Sequence, residues 1–375
     1  MGASCLGFGL LGPVLMTVAG TPVALGTPKQ RAVMAVLLIN RNHPVGTESL
    51  INAAWNGSPA PAARASIHSY ISNLRRLLSD AGADPRTALA AVAPGYRLRV
   101  ADGECDVDRF ISAKTAGFQA SAAGHFEQAG NHLSAALTQW RGQVLDDLRD
   151  FAFVDAFATA LTEDHLLVRT ARAEAEIACG RADAVVAELE ALIRDHPYRE
   201  PLWAQLITAY YVAGRQSDAL AVYRRLQAVL AEDLGIDPSP QLCALHARIL
   251  RQERLDVERA ARTRAAVTIA STHTAFDRRS AIAGLRDAGG QRYPLQPAAT
   301  RIGRQPDNDI VLDDADISRH HAVIIDTGSS FVITDMRSAN GVFVENRRLR
   351  PSATLADGHH IRICGHEFTV EIEQG

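Results

Sequence analysis

The sequence predicts a multidomain chain: an α+β winged helix-turn-helix, then an all-α domain of helical repeats, then an all-β sandwich. Three observations predict this. Residues 1–100 carry a net charge of +6 around three amphipathic helical stretches and a hairpin, whereas residues 101–250 carry −9. A glycine-led signature occurs three times in the acidic stretch, the last two copies 34 residues apart. From Tyr293 onward the chain alternates apolar and polar residues in short runs separated by polar turns, the pattern of half-buried strands.

Bulk properties set the frame. A length of 375 residues suggests about two or three domains. Hydrophobic residues make up 47% and charged residues 22%, which fits a soluble globular protein. Cys5, Cys105, Cys179, Cys243 and Cys364 are scattered and form no C-x-x-C pair. That predicts neither a zinc site nor a disulfide framework and fits a reducing cytoplasm. Residues 1–28 lack charge, but Gly7, Gly9, Gly12, Pro13, Gly20 and Pro22 interrupt any apolar helix. Short strands over 7–11, 14–18 and 22–24 are expected there instead, and no membrane segment.

The first helix is expected to start at Thr27-Pro28 and end near Asn40, with threonine as cap and proline at the first position. A second runs from 47 to 55 and a third from about 62 to 79. On the third, Ile67, Ile71, Leu74 and Leu78 fall on one face and form the buried stripe. The opposite stripe is Ala62, Ala65, Ser66, Ser69, Asn73 and Arg76. Small residues let a helix enter the major groove, and asparagine can pair with adenine. Arginines beside it suit phosphate. The candidate DNA contacts are therefore Arg64, Ser66, Ser69, Tyr70, Asn73, Arg75 and Arg76, with Arg97 on the hairpin that follows. The helix alone reads equally well as an ordinary solvated face. The hairpin over 89–92 and 96–100, turning at Pro94-Gly95, adds the wing of a winged helix-turn-helix.

Thr27-Pro28-Lys29-Gln30-Arg31, Trp55, Ser72-Asn73-Leu74-Arg75-Arg76-Leu77 and Gly95-Tyr96-Arg97 resemble the OmpR/PhoB-type winged helix, and more closely its version in Streptomyces antibiotic regulatory proteins. That family often carries a basic residue where Asn73 stands, so base preference does not carry over.

Residues 104–250 read as successive helices with the signature Gly-[His/Arg]-x3-[Ala/Val]-x3-[Leu/Tyr] at 124–133, 180–189 and 214–223. The last two copies lie at the tetratricopeptide period. Trp203, Leu206, Tyr210, Ala219 and Tyr223 fit that repeat's spacing. With Leu234-Gly235-Ile236-Asp237-Pro238-Ser239-Pro240, the stretch is similar to the bacterial transcriptional activation domain. Such repeats are surfaces for protein contact, and the resemblance makes RNA polymerase a candidate partner.

No enzymatic centre is expected. The chain has no P-loop, no H-E-x-x-H and no G-x-S-x-G. The acid pairs Asp146-Asp147 and Glu163-Asp164 are adjacent, so they diverge on a helix rather than converge on a substrate. They read as solvated faces. No cofactor is implied.

Residues 251–291 are rich in arginine, alanine, serine and threonine and read as a tether, helical at most over 257–267. Thr263, Thr268, Thr272 and Thr274 there are candidates for phosphorylation. Such a tether predicts control by competition, with the acidic repeats covering the basic first domain, rather than by a rigid relay.

Within the sandwich, strands are expected over 322–325, 331–334, 342–345, 360–363 and 367–372. Three motifs lie among them: Gly303-Arg304, Ser318-Arg319-His320-His321 and Asn340-Gly341. Arginine forks and a serine hydroxyl suit a phosphate dianion. Together the motifs closely resemble the forkhead-associated domain. The resemblance implies that Arg304, Ser318 and Arg319 contact phosphothreonine and that Asn340 holds the peptide backbone. Gly303, His321 and Gly341 would shape the loops. The order of the three modules resembles the mycobacterial EmbR regulators, in which the last module docks on a phosphorylated Ser/Thr kinase. The reading is a cytoplasmic transcription regulator binding double-stranded DNA and a phosphothreonine protein. The alternative is a phosphopeptide adaptor with little DNA binding.

Overall fold

A computed structural model of the chain describes residues 6–93, 95–276, 283–295, 299–306, 308–326, 331–336, 338–349 and 352–372. The residues divide into two compact units: Met1–Ile111, Gln139–Asp164 and Ser271–Gly375 in one, Ser112–Thr138 and His165–Ala270 in the other.

The first unit opens with strands β1 (Leu6–Gly9), β2 (Leu15–Val18) and β3 (Thr21–Pro22), an antiparallel meander. Helix α1 spans Pro28–Ile39, and the Thr27 hydroxyl accepts from Gln30 N, satisfying one of the orphan donors of a helix start. Strand β4 (Val45–Gly46) leads into α2 (Thr47–Trp55). Helix α3 (Ala63–Asp80) buries Ile67, Ile71, Leu74 and Leu78, as the stripe requires. A short helix α4 (Pro85–Ala88) precedes the hairpin β5 (Leu89–Val92) and β6 (Gly95–Leu98). Strand β4 pairs with β6, so the wing is anchored on the segment before α2. Pro94 of the expected turn lies outside the described residues.

Residues 139–150 secure this domain. Arg141 N donates to Leu11 O at 2.7 Å and Leu145 N to Gly12 O at 2.9 Å. Asp147 accepts from Val14 N at 2.9 Å and pairs with Arg31 of α1. The expectation of a solvated acid pair is therefore wrong for Asp147, which ties two segments of the winged helix. Asp146 pairs with Arg149.

The helices that follow are α5 (Asp106–Ala122), α6 (Phe126–Leu137), α7 (Ala152–Ala178), α8 (Asp183–Asp195), α9 (Glu200–Val212), α10 (Gln216–Leu234), α11 (Pro240–Leu250) and α12 (Val257–Phe276). The recurrent Gly-[His/Arg] marks the stops of α5, α7 and α9. Gly124, Gly180 and Gly214 have φ of +81°, +78° and +78°, a conformation cheap only for glycine. In each turn two bonds close the helix end. His125 N donates to Ala120 O, Arg181 N to Glu176 O and Arg215 N to Tyr210 O, while each glycine N–H reaches a carbonyl three residues back. This is the Schellman geometry, and it explains why the signature starts with glycine. Trp203, Leu206 and Ala219 are buried in the second unit's core.

Helix α12 corrects the tether reading. It continues well past residue 267 and buries Ala261 and Ala265, while Arg264 pairs with Glu174. Thr263 is exposed on it; the side chains of Thr272 and Thr274 lie outside the described residues.

The first unit is completed by two sheets. One has the order β10-β9-β11-β12-β15, from β9 (Ala299–Gly303), β10 (Ile310–Val311), β11 (Ala322–Asp326), β12 (Phe331–Asp335) and β15 (Ser352–Leu355). The other has the order β14-β13-β16-β17-β7-β8, from β7 (Ala283–Asp287), β8 (Arg292–Pro294), β13 (Val342–Val344), β14 (Arg347–Arg348), β16 (His360–Ile363) and β17 (His366–Ile372). Leu285, Ile302, Ile324, Ile333, Ile363 and Val370 form the core of this sandwich. Strand β7 pairs with β17, so the sandwich begins before residue 292, inside the stretch read as tether. Among the described residues no helix is long and apolar enough to cross a membrane.

Candidate functional site

The three motifs of the sandwich meet at the loops after β9, before β11 and before β13. Arg304 N donates to Ser318 O at 3.2 Å, which joins the first two loops. Ser318 Oγ accepts from Ala339 N at 3.1 Å, and Asn340 Nδ2 donates to Asp316 O at 2.8 Å, which joins the third. Arg304, Arg319 and Asn340 are exposed and Ser318 is half-buried. Among the described residues neither Arg304 nor Arg319 has a carboxylate partner. Two cationic forks, a hydroxyl and an amide thus share one rim. That donor set suits a doubly charged oxyanion presented on an extended backbone.

The loop-shaping residues have physical reasons. A Cβ at Gly303 would lie 2.4 Å from Arg319 O, so only glycine lets the two loops approach. Gly341 has φ +78° and its missing Cβ leaves room for the Arg348 guanidinium. His321 is fully buried. Its Nδ1 accepts from Ser318 N at 3.1 Å and its Nε2 faces Gly341 O at 3.2 Å. A carbonyl only accepts, so Nε2 is the donor of this pair. His321 is a strut between two loops. Near Asn340, burial pushes the Cys364 thiol above its ordinary value, and the thiol donates to Asp316 O at 3.3 Å.

Asn308 escaped the sequence reading. It is buried, and its Nδ2 donates to Gln305 O and Arg319 O, both at 2.8 Å, clamping the first loop to the second. Its Oδ1 faces His320 Nδ1 at 3.2 Å. The other ring nitrogen of His320 faces Asn52 Nδ2 of α2 at 2.9 Å, and Arg301 Nη1 donates to Ser49 Oγ at 2.7 Å. The sandwich therefore contacts the winged helix directly within the first unit. The premise that only the acidic repeats and a tether join these two modules fails at this contact.

On the winged helix, the polar stripe of α3 is outward. Ser69, Asn73 and Arg76 are exposed and Ser66 is half-buried. Ser66 and Ser69 back-bond to Ala62 O and Ala65 O. Other candidates also have internal partners. Arg64 pairs with Glu48. Arg75 Nε donates to Leu89 O at 3.0 Å, and its guanidinium lies over the Tyr96 ring. Asn73 Nδ2 donates to Gln30 Oε1 at 3.1 Å. Tyr70 stacks on Trp55, with Lys29 over the indole at 4.4 Å. Arg97 is half-buried on β6. Arg76 is thus an exposed cation of the helix without an ion pair among the described residues, whereas Arg64, also exposed, and Arg75 brace the fold. Among the described residues no cluster of His, Cys, Asp and Glu could hold a metal ion.

Comparison with known proteins agrees with this division. Residues 20–98 match the family "Transcriptional regulatory protein, C terminal", residues 105–250 the bacterial transcriptional activator domain, and residues 300–364 the FHA domain. The regulatory protein AfsR of Streptomyces coelicolor is 35% identical over 262 residues, covering 70% of this chain and 26% of that protein. The transcriptional regulatory protein EmbR of Mycobacterium tuberculosis is 64% identical over 373 residues, covering 99% of this chain and 96% of that protein. A solved structure of Mycobacterium tuberculosis EmbR in complex with a low-affinity phosphopeptide superposes with a TM-score of 0.91 at 62% identity, covering 100% of this chain and 99% of that one. With that similarity over its whole length, the chain belongs to the EmbR family of transcriptional regulatory proteins.

Proposed function

We propose that the protein binds double-stranded DNA through α3 and the β5–β6 wing, and that a threonine-phosphorylated protein, of the kind a Ser/Thr kinase produces, controls it through the sandwich. The observation that carries this reading is the rim where Arg304, Ser318, Arg319 and Asn340 converge. Arg304, Ser318 and Arg319 hold the phosphate, and Asn340 holds the peptide main chain. RNA polymerase is the partner proposed for the helical repeats, and the cytoplasm is the proposed location.

DNA engagement rests on phosphate contacts from Arg76 and Arg97 and on base contact from Asn73. The gel-shift affinity of the full chain should fall steeply as salt rises, because counterions are released. Arg76→Ala should weaken all sequences alike and make the salt slope shallower by about one. Asn73→Ala should relax preference at one base pair, by about 1–3 kcal/mol. An affinity independent of salt would remove α3 from the interface.

The His320–Asn52 and Arg301–Ser49 bonds give the phosphate loop a route to α2. A ligand shifts a conformational equilibrium only by its differential affinity for the two states. Couplings of about 1–3 kcal/mol are typical. Adding a phosphothreonine peptide should therefore change DNA affinity by roughly 5–150-fold. Asn340→Ala should abolish the change and leave DNA binding without peptide as it is. An Asn340→Ala protein that responds as the parent does would assign control to another site.

A further inference from the structure

Asn73 is exposed on α3, and a buried glutamine of α1 holds its side chain. Gln30, at the third position of α1, is 6% exposed. Its backbone N–H donates to the Thr27 hydroxyl at 3.3 Å, which fixes the start of the helix. Its side chain folds back, and Nε2 donates to Leu25 O at 2.8 Å. Gly26 makes room for this fold: φ is +83°, and a Cβ there would lie 3.1 Å from Gln30 Nε2. Gln30 Oε1 then accepts from Asn73 Nδ2 at 3.1 Å.

One carbonyl sets the direction of both amides. Leu25 O only accepts, so it must face the nitrogen of Gln30. Oε1 is then the end that Gln30 offers to Asn73. An acceptor there calls for a donor, so Asn73 turns Nδ2 inward. Reversing either amide sets two oxygens against each other and loses a hydrogen bond. Asn73 therefore keeps Oδ1 and the second Nδ2 hydrogen for the outside.

We propose that Gln30 is a positioning residue that sets Asn73 to read adenine and reject guanine. This rests on the reading of α3 as the DNA helix. In the major groove adenine shows an acceptor, N7, beside a donor, the N6 amino group. The outward Nδ2 hydrogen and Oδ1 of Asn73 match that pair. Guanine shows two acceptors, N7 and O6. A loose asparagine turns its nitrogen toward O6. One held by Gln30 meets O6 with its own oxygen, and that repulsion adds to the discrimination. Gln30 itself is buried and acts through Asn73.

The test uses the full chain and a pool of random DNA duplexes, with the bound fraction sequenced for the parent and for Asn73→Ala. The position at which Asn73→Ala loses base preference marks the contact. Gel shifts on four duplexes that differ only there give the adenine-to-guanine affinity ratio. The parent should show roughly tenfold or more. Gln30→Met fills a similar volume but makes neither side-chain bond. It should bring the ratio to about threefold or less, chiefly by improving guanine. Thermal melting reports whether the variant is folded. Should Gln30→Met melt below the assay temperature, Gln30→Asn carries the same expectation, since it keeps an amide but is one methylene too short to bridge Leu25 O and Asn73. A folded variant that keeps the parental ratio and binds all four duplexes more weakly, or as the parent does, overturns the proposal, because a merely structural Gln30 would not move the ratio. An Asn73→Ala protein with the parent's preference at every position removes the base contact itself, and the proposal with it.

Discussion

Replacing Arg304 with alanine should abolish measurable binding of a phosphothreonine peptide while the sandwich stays folded. The side chain is exposed on a loop and pairs with no carboxylate among the described residues. Its structural tie is the backbone N–H to Ser318 O, which alanine keeps. Hydrogen bonds to charged groups contribute about 1.5–3 kcal/mol each, and a guanidinium fork makes two at once. Losing them weakens binding by at least about tenfold to a hundredfold, enough to put a weak complex beyond calorimetric detection. Gly303→Val provides the contrast. Its Cβ would sit 2.4 Å from Arg319 O, so it should reduce both stability and binding. Unchanged peptide affinity in Arg304→Ala would take this residue out of the site.

That Gly303-Arg304, Ser318-Arg319 and Asn340-Gly341 lie on neighbouring loops was legible from sequence, because together they resemble the forkhead-associated pattern and alternation marks the strands between them. Other parts were local in a different sense. The repeat glycines could be found because a Schellman turn depends on a few consecutive residues. Helix α2 was read with its observed ends, Thr47 and Trp55.

Long-range pairing hid the rest. Strand β7 is only Ala283–Asp287, and its partner β17 lies over eighty residues away, so no neighbouring pattern announces it. Helix α12 buries alanines, which leave no apolar stripe to see. Asn308 has no charge and belongs to no motif, yet it joins two loops through carbonyls that only the fold brings together. Arg64 and Arg75 look like phosphate contacts in sequence. Glu48 and the Leu89 carbonyl, their partners in space, show that charge type alone does not separate a DNA contact from a brace. The contact of His320 with Asn52 spans 268 residues and follows from the packing of two domains.

Asp106 is the residue whose loss should cost the fold most. It is 2% exposed, and its carboxylate accepts from Leu10 N at 2.9 and 3.0 Å and from Leu11 N at 3.0 Å. Arg141 Nη2 adds a bond at 3.2 Å, and Arg141 Nη1 continues to Pro13 O at 3.0 Å. One buried carboxylate therefore fixes the turn after β1 and the segment that clasps it. Asp106→Ala leaves two backbone donors without an acceptor, each at a cost of about 1–3 kcal/mol. Arg141 is partly exposed, with a third of its side-chain surface in water, so its lost pairing adds little. The total is about 2–6 kcal/mol, a range that contains the cost of breaking a buried pair. That should lower the Tm by roughly 10 °C for a unit of this size. Asp106→Asn keeps one oxygen for the backbone donors and should lose less than half as much. Because α1 lies beyond this turn, DNA affinity should fall with stability, while peptide affinity of the folded fraction is preserved. Differential scanning calorimetry of the full chain is the check. A Tm for Asp106→Ala within about 2 °C of the parent would mean that water replaces the carboxylate at Leu10 and Leu11, and that Asp106 does not secure the winged helix.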